Sequence, residues 1–113
     1  MPDTKIVGKL VRDGIPDKIR RGGESPKIKS IDGYELRHAL RKKLAEEATE
    51  VVSASGRGAL IRELADVSEV YDELLRVYQL TPGDIEFARA RKKRELGGFE
   101  KGFYLESVAA RPA

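Results

Sequence analysis

The chain has 113 residues, a length that fits one domain with a modest core. It is 40% hydrophobic and 36% charged, carries a net charge of +3, and has neither cysteine nor tryptophan. These values fit a globular protein with a heavily charged surface, exclude disulfides, zinc–thiolate sites and thiol nucleophiles, and offer no obvious stacking platform for single-stranded nucleic acid. A single histidine cannot build a multi-histidine metal site. Any bound metal would be held mainly by carboxylates, which favours Mg²⁺ or Mn²⁺. The charge suits anionic partners but is too small to point to nucleic acid. No stretch approaches the roughly 18 apolar residues of a membrane span. The start, Met1-Pro-Asp-Thr-Lys5, lacks the apolar segment of a signal peptide. The expected location is the cytoplasm.

In chain order, Lys5 to Val11 is apolar enough for a short strand or extended segment. Arg12-Asp13-Gly14 breaks it, and Pro16 suits the first turn of a short helix reaching about Arg21, with Asp13 or Gly14 as caps. Gly22-Gly23 ends that helix. Lys27 to Ile31 alternates and predicts a second short strand.

Asp32, with Glu35 three residues later, has the form of a capping box. A long helix follows to about Ser55, with Leu36, Leu40, Leu44, Ala48, Val51 and Val52 as its apolar positions. Gly56-Arg57-Gly58 ends it, and a second long helix runs from about Ala59 to Gln79. Leu60, Leu64, Val67, Val70, Tyr71, Leu74 and Tyr78 form its apolar stripe. So short a connection predicts an antiparallel hairpin.

Thr81-Pro82-Gly83-Asp84 starts a third helix after the two long ones, which runs through the basic stretch Arg89 to Arg94 and stops at Gly97-Gly98. Phe103-Tyr104-Leu105 predicts a strand that pairs with the N-terminal extended segment. Residues 109 to 113 are expected to be disordered. The predicted fold is mainly α: a helical hairpin plus a further helix in one domain, with a small strand element from the two ends. Two long helices barely enclose a core, so pairing of two chains into a four-helix core is expected.

The hairpin carries acids where apolar residues belong. At about 100° per residue, Glu47 falls about 20° from Leu40, inside the apolar stripe, and Glu50 and Glu46 fall on its flank. On the next helix Glu63 lies about 60° from Leu60, and Asp66 lies beside Val70. A buried, unpaired carboxylate is costly. It needs a basic partner, a proton or a cation, and carboxylates converging from two helices are best compensated by metal. Acids at i and i+3 project in one direction, so each motif offers two ligands. Taken singly, either motif is equally well a solvated helix face.

Glu46-Glu47-x-x-Glu50, a spacer of twelve residues, and Glu63-x-x-Asp66 resemble the signature of the all-α nucleoside triphosphate pyrophosphatase superfamily, called MazG-like. Lys9-Leu-Val-Arg-Asp13 with Ile15-Pro16, and Gly97-Gly98-Phe99-Glu100, are similar to a small-protein branch described as predicted house-cleaning enzymes for noncanonical nucleotides. Gly14 departs from that branch, where a lysine is expected. The resemblance implies Mg²⁺-dependent (or Mn²⁺-dependent) hydrolysis of a nucleoside triphosphate to monophosphate and pyrophosphate. It implies Glu47, Glu50, Glu63 and Asp66 as metal ligands, with Glu46 and Glu47 as the catalytic candidates, Glu46 either orienting the attacking water or supporting the ligands from outside. It also implies homo-oligomers, with a homodimer expected.

Arg12, Lys43, Lys93 and Arg94 are the candidates for phosphate binding. Lys43 is equally well an ion-pair partner of Glu46 or Glu47, and Arg89 to Arg94 a solvated basic face at a helix C-terminus. His38 falls on the polar side and is expected to be exposed. A phosphoribosyl-ATP pyrophosphohydrolase is an alternative substrate assignment. A non-catalytic helical interaction or nucleic-acid-binding module is an alternative of another class.

Overall fold

Helix signals in the sequence become helices at nearly the expected boundaries. The computed structural model describes residues 4–112. Their regular structure consists of α1 (Ile15–Arg21), α2 (Gly33–Ser53), α3 (Arg57–Val77) and α4 (Pro82–Leu96). Gly14 occupies the N-cap of α1, Pro16 sits in its first turn, and the Gly22 amide closes it on the Lys18 and Ile19 carbonyls. The chain divides into two compact units, Met1–Leu80 and Thr81–Ala113.

The first unit is built on the α2–α3 hairpin. The stripes meet in part: Leu40 and Val70 are buried, together with Leu75, which the predicted stripe did not include, while Leu36, Leu44, Val51, Val67 and Leu74 are half-buried around them and Ala48 is exposed. The two helices pack against each other. Their antiparallel sense shows at the far end, where the Arg37 guanidinium of α2 lies 5.9 Å from the ring of Tyr78, the C-cap of α3. Gly56, with φ +87°, makes the turn between them. That left-handed backbone is one a side chain would strain.

Large apolar side chains stay open on the same hairpin: Leu60, Ile61, Leu64, Tyr71 and Tyr78 are each 40% exposed or more. Val52, expected in the stripe of α2, is 86% exposed. His38 is exposed, as expected, and stacks on Tyr34 one turn earlier.

In the second unit, Thr81 and Asp84 form a reciprocal capping box at the start of α4. The Asp84 amide donates to Thr81 Oγ1 at 3.1 Å, and the Thr81 amide donates to Asp84 Oδ2 at 2.8 Å. Two otherwise unpaired donors are thereby satisfied. Thr81→Ala should cost about 1 kcal/mol of α4 stability, read as faster hydrogen exchange at the Asp84 amide. The Gly97 amide bonds the Lys93 carbonyl at the other end. Beyond it, Phe99, Phe103, Tyr104 and Leu105 are nearly fully exposed.

Three local expectations are corrected. The Asp32–Glu35 capping box does not form: Asp32 makes no side-chain cap hydrogen bond. Gly33 follows it with φ +53°, and Glu35 turns instead to Lys29 at 3.6 Å. No strand occurs among the described residues, so the element expected from Lys5–Val11 and Phe103–Leu105, and the one at Lys27–Ile31, are irregular segments. An apolar run becomes a strand only when another edge takes up its backbone groups. Residues 109–112 are exposed and irregular. Ala113 and the first three residues, on which part of the signal-peptide reading falls, lie outside the described residues. No described helix is long and apolar enough to cross a membrane.

Candidate metal centre

The hairpin brings three of the expected acids together. Glu47 of α2 and Glu63 and Asp66 of α3 each offer a carboxylate oxygen, and these oxygens all lie within 4.8 Å of one another. The local cause is simple. Glu63 and Asp66 stand one turn apart on a single face of α3. Glu47 and Asp66 stand at similar sequence distances on either side of Gly56, so the antiparallel hairpin sets them level.

Glu47 is the most withdrawn where side-chain exposure is resolved: its side chain is 13% exposed, against 38% for Asp66. That order follows from the helical angles, which place Glu47 inside the apolar stripe of α2. Glu50, one turn further along, is exposed and stands outside the three-acid group.

Two basic side chains answer this negative charge. Lys43, itself only 17% exposed, places Nζ 3.4 Å from Glu46 Oε2 and 3.5 Å from Glu47 Oε1. The ion-pair alternative for Lys43 is therefore what the structure contains. Arg12 Nη2 donates to Asp66 Oδ1 at 2.7 Å, from the irregular segment just before α1. This second pairing was not foreseeable from local spacing, because it joins residues far apart in the chain. The only hint was Arg12's place within the Lys9–Asp13 motif. Further along α3, Arg76 hydrogen-bonds Glu73 and holds its carboxyl below the ordinary carboxylate value.

Lys93 and Arg94 lie in the second unit, on the last turn of α4. Lys93 borders a shallow cleft there with Gly97, Gly98 and Phe99. Arg89 and Arg91 on the same helix pair with Glu86 and Glu95. For those two, the solvated-face alternative describes what is seen.

The donor set fits a hard divalent cation. It is all carboxylate oxygen, comes from two rigid helices, and leaves room in an octahedral sphere for water and phosphate oxygens. Like charges at this spacing repel by about 1 kcal/mol per pair in water-like surroundings, and by several at a partly buried surface. Lys43 and Arg12 offset part of that repulsion, and a divalent ion would offset more.

No known family pattern matches this chain, and no solved structure matches it. An uncharacterized protein of Mycolicibacterium smegmatis is 40% identical over 55 residues. That alignment covers 49% of this chain and 56% of the relative, so the chain spans about half the length of the curated relative it matches.

Proposed function

We propose that this protein is a divalent-metal-dependent nucleoside triphosphate pyrophosphohydrolase of the MazG-like kind, converting a triphosphate and water to a monophosphate and pyrophosphate. One observation carries the proposal: three carboxylates from two helices converge within 4.8 Å beside an apolar face. The resemblance of the Glu47–Glu50 and Glu63–Asp66 motifs adds the substrate class, with noncanonical nucleotides as the house-cleaning target.

Glu47, Glu63 and Asp66 would hold the ion, and the motif resemblance adds Glu50, one turn from Glu47, as a fourth proposed ligand. The ion, Mg²⁺ or Mn²⁺, would neutralise triphosphate charge and acidify a water for attack at phosphorus. Glu46, 42% exposed beside Lys43, would orient that water by accepting its hydrogen bond, and Lys43 would stabilise charge on the departing pyrophosphate. Lys93 and Arg94 are further phosphate-binding candidates.

The assembly proposed is a homodimer in which two hairpins complete a four-helix core. Support comes from the exposed Leu60, Ile61, Leu64 and Tyr71. Only three apolar residues are buried among the described ones, too few for an independent bundle. Sedimentation should give twice the chain mass, and a monomer at all concentrations would remove this part.

The catalytic proposal is tested by assaying pyrophosphate release from a panel of canonical and modified nucleoside triphosphates with Mg²⁺. Turnover that a chelator abolishes is expected. Absence of release across the panel, together with no melting-temperature shift from metal and nucleotide, would leave the helical-module alternative standing.

A further inference from the structure

Arg12 forms an unusual ion pair for this molecule. Every other side-chain ion pair among the described residues joins near neighbours in sequence, whereas Arg12–Asp66 ties the N-terminal segment to α3. Its acceptor belongs to the three-acid group. Its donor stands where Leu10 and Val11 are half-buried and the Arg12 carbonyl accepts the Ile15 amide at 3.0 Å, at the turn into α1. The backbone is therefore anchored, and only the side chain need move to break the pair.

A guanidinium 2.7 Å from Asp66 Oδ1 competes with any cation that uses this carboxylate. The arginine and aspartate side chains are 56% and 38% exposed. An exposed pair of this kind shifts an equilibrium by no more than about fivefold. The contact is strong enough to bias the side chain and weak enough to be exchanged. Once released, Arg12 remains tethered beside the carboxylates, and its planar fork of donors matches phosphate oxygens.

We propose that Arg12 is an exchangeable counter-ion. It closes Asp66 in the metal-free chain, yields that carboxylate to a divalent cation, and then binds a phosphate of the nucleotide. The exchange rests on the proposal that Glu47, Glu63 and Asp66 hold the cation. It sets an order of events, cation first and nucleotide second, and makes Arg12 a reporter of which state the site is in.

The distinguishing consequence is an opposite sign on two affinities. A merely structural arginine would weaken both ligands when removed, and a simple phosphate contact would leave metal binding alone. Here Arg12→Ala should tighten Mn²⁺ alone by about two- to fivefold, measured by calorimetry without nucleotide at low salt. It should weaken a non-hydrolysable α,β-methylene triphosphate, added with saturating Mn²⁺, by about tenfold. Arg12→Lys keeps the charge and lacks the fork, so its Mn²⁺ affinity should stay near wild type while the triphosphate still weakens.

Side-chain NMR supplies a readout independent of affinity. Mg²⁺ alone should shift the Arg12 Nε–H resonance of the wild type toward that of an unpaired guanidinium, and an unmoved resonance at saturating Mg²⁺ would overturn the exchange. Equal or weaker Mn²⁺ binding by Arg12→Ala, with wild-type binding that Glu63→Gln abolishes, would overturn the exchange and leave the metal site intact. Mn²⁺ binding that survives Glu63→Gln, or no binding by wild type, would overturn both.

Discussion

Glu63→Gln should abolish chelator-sensitive pyrophosphate release without unfolding the protein. The reason is electrostatic. Glu63 shares a space less than 4.8 Å across with Glu47 and Asp66. No described basic side chain pairs with it, whereas Lys43 and Arg12 serve the other two. Removing its charge relieves repulsion in the metal-free chain, so the melting temperature should hold or rise. The same change removes one of the three proposed metal ligands. Loss of groups that merely support a ligand already costs about 10- to 100-fold, so the activity loss should be on the order of 100-fold or more.

Asp66→Asn should be as inactive but slightly less stable, because it also gives up the Arg12 contact, worth at most about 1 kcal/mol at this exposure. Glu50→Gln is the useful contrast. If the three clustered acids suffice, its loss should be the smallest of the set. Rates for Glu63→Gln and Asp66→Asn within twofold of wild type would remove these residues from the chemistry.

Leu40→Ala should be the most destabilising single truncation in α2. Leu40 is 3% exposed, the most buried side chain described, and it faces a core whose other buried members are Val70 and Leu75. A leucine-to-alanine change at such a position costs about 2–5 kcal/mol through lost burial and the cavity left behind. A hairpin with so small a core has little to spare. Each kcal/mol moves the midpoint of a domain this small by roughly 4–8 °C, so thermal unfolding followed by circular dichroism should fall by at least about 10 °C. Val52→Ala, at an 86% exposed site, should shift it by no more than a degree or two. Equal shifts for the two would mean that the hairpin core lies elsewhere.

These two predictions draw on different parts of what the sequence makes legible. Helix existence, the buried face of α2 at Leu40, the intrusion of Glu47 into that face and the place of Glu63 on the flank of the α3 stripe all follow from one periodicity. Helical geometry is local, and neighbours three or four residues apart decide it. The cap at Thr81 is local in the same way. The failures are non-local or turn on a single backbone angle. Lys5–Val11 has the composition of a strand, but composition cannot supply a second edge. Asp32 and Glu35 have the spacing of a cap, but a left-handed Gly33 between them and a lysine at position 29 redirect both. The Arg12–Asp66 pair joins opposite sides of the hairpin connection, and no pattern within a window of residues contains both.

The Gly56 turn has a kinetic consequence. Glu47 is 16 residues from Glu63 and 19 from Asp66 in sequence, so their meeting closes a loop of fewer than 20 residues centred on the bend. Loop-closure entropy at this length is small, and contacts of low sequence separation form early in folding. The carboxylates therefore converge as the hairpin itself collapses. Their mutual repulsion is then a burden on the folding transition itself, and neutralising it should accelerate hairpin formation as well as stabilise the finished protein.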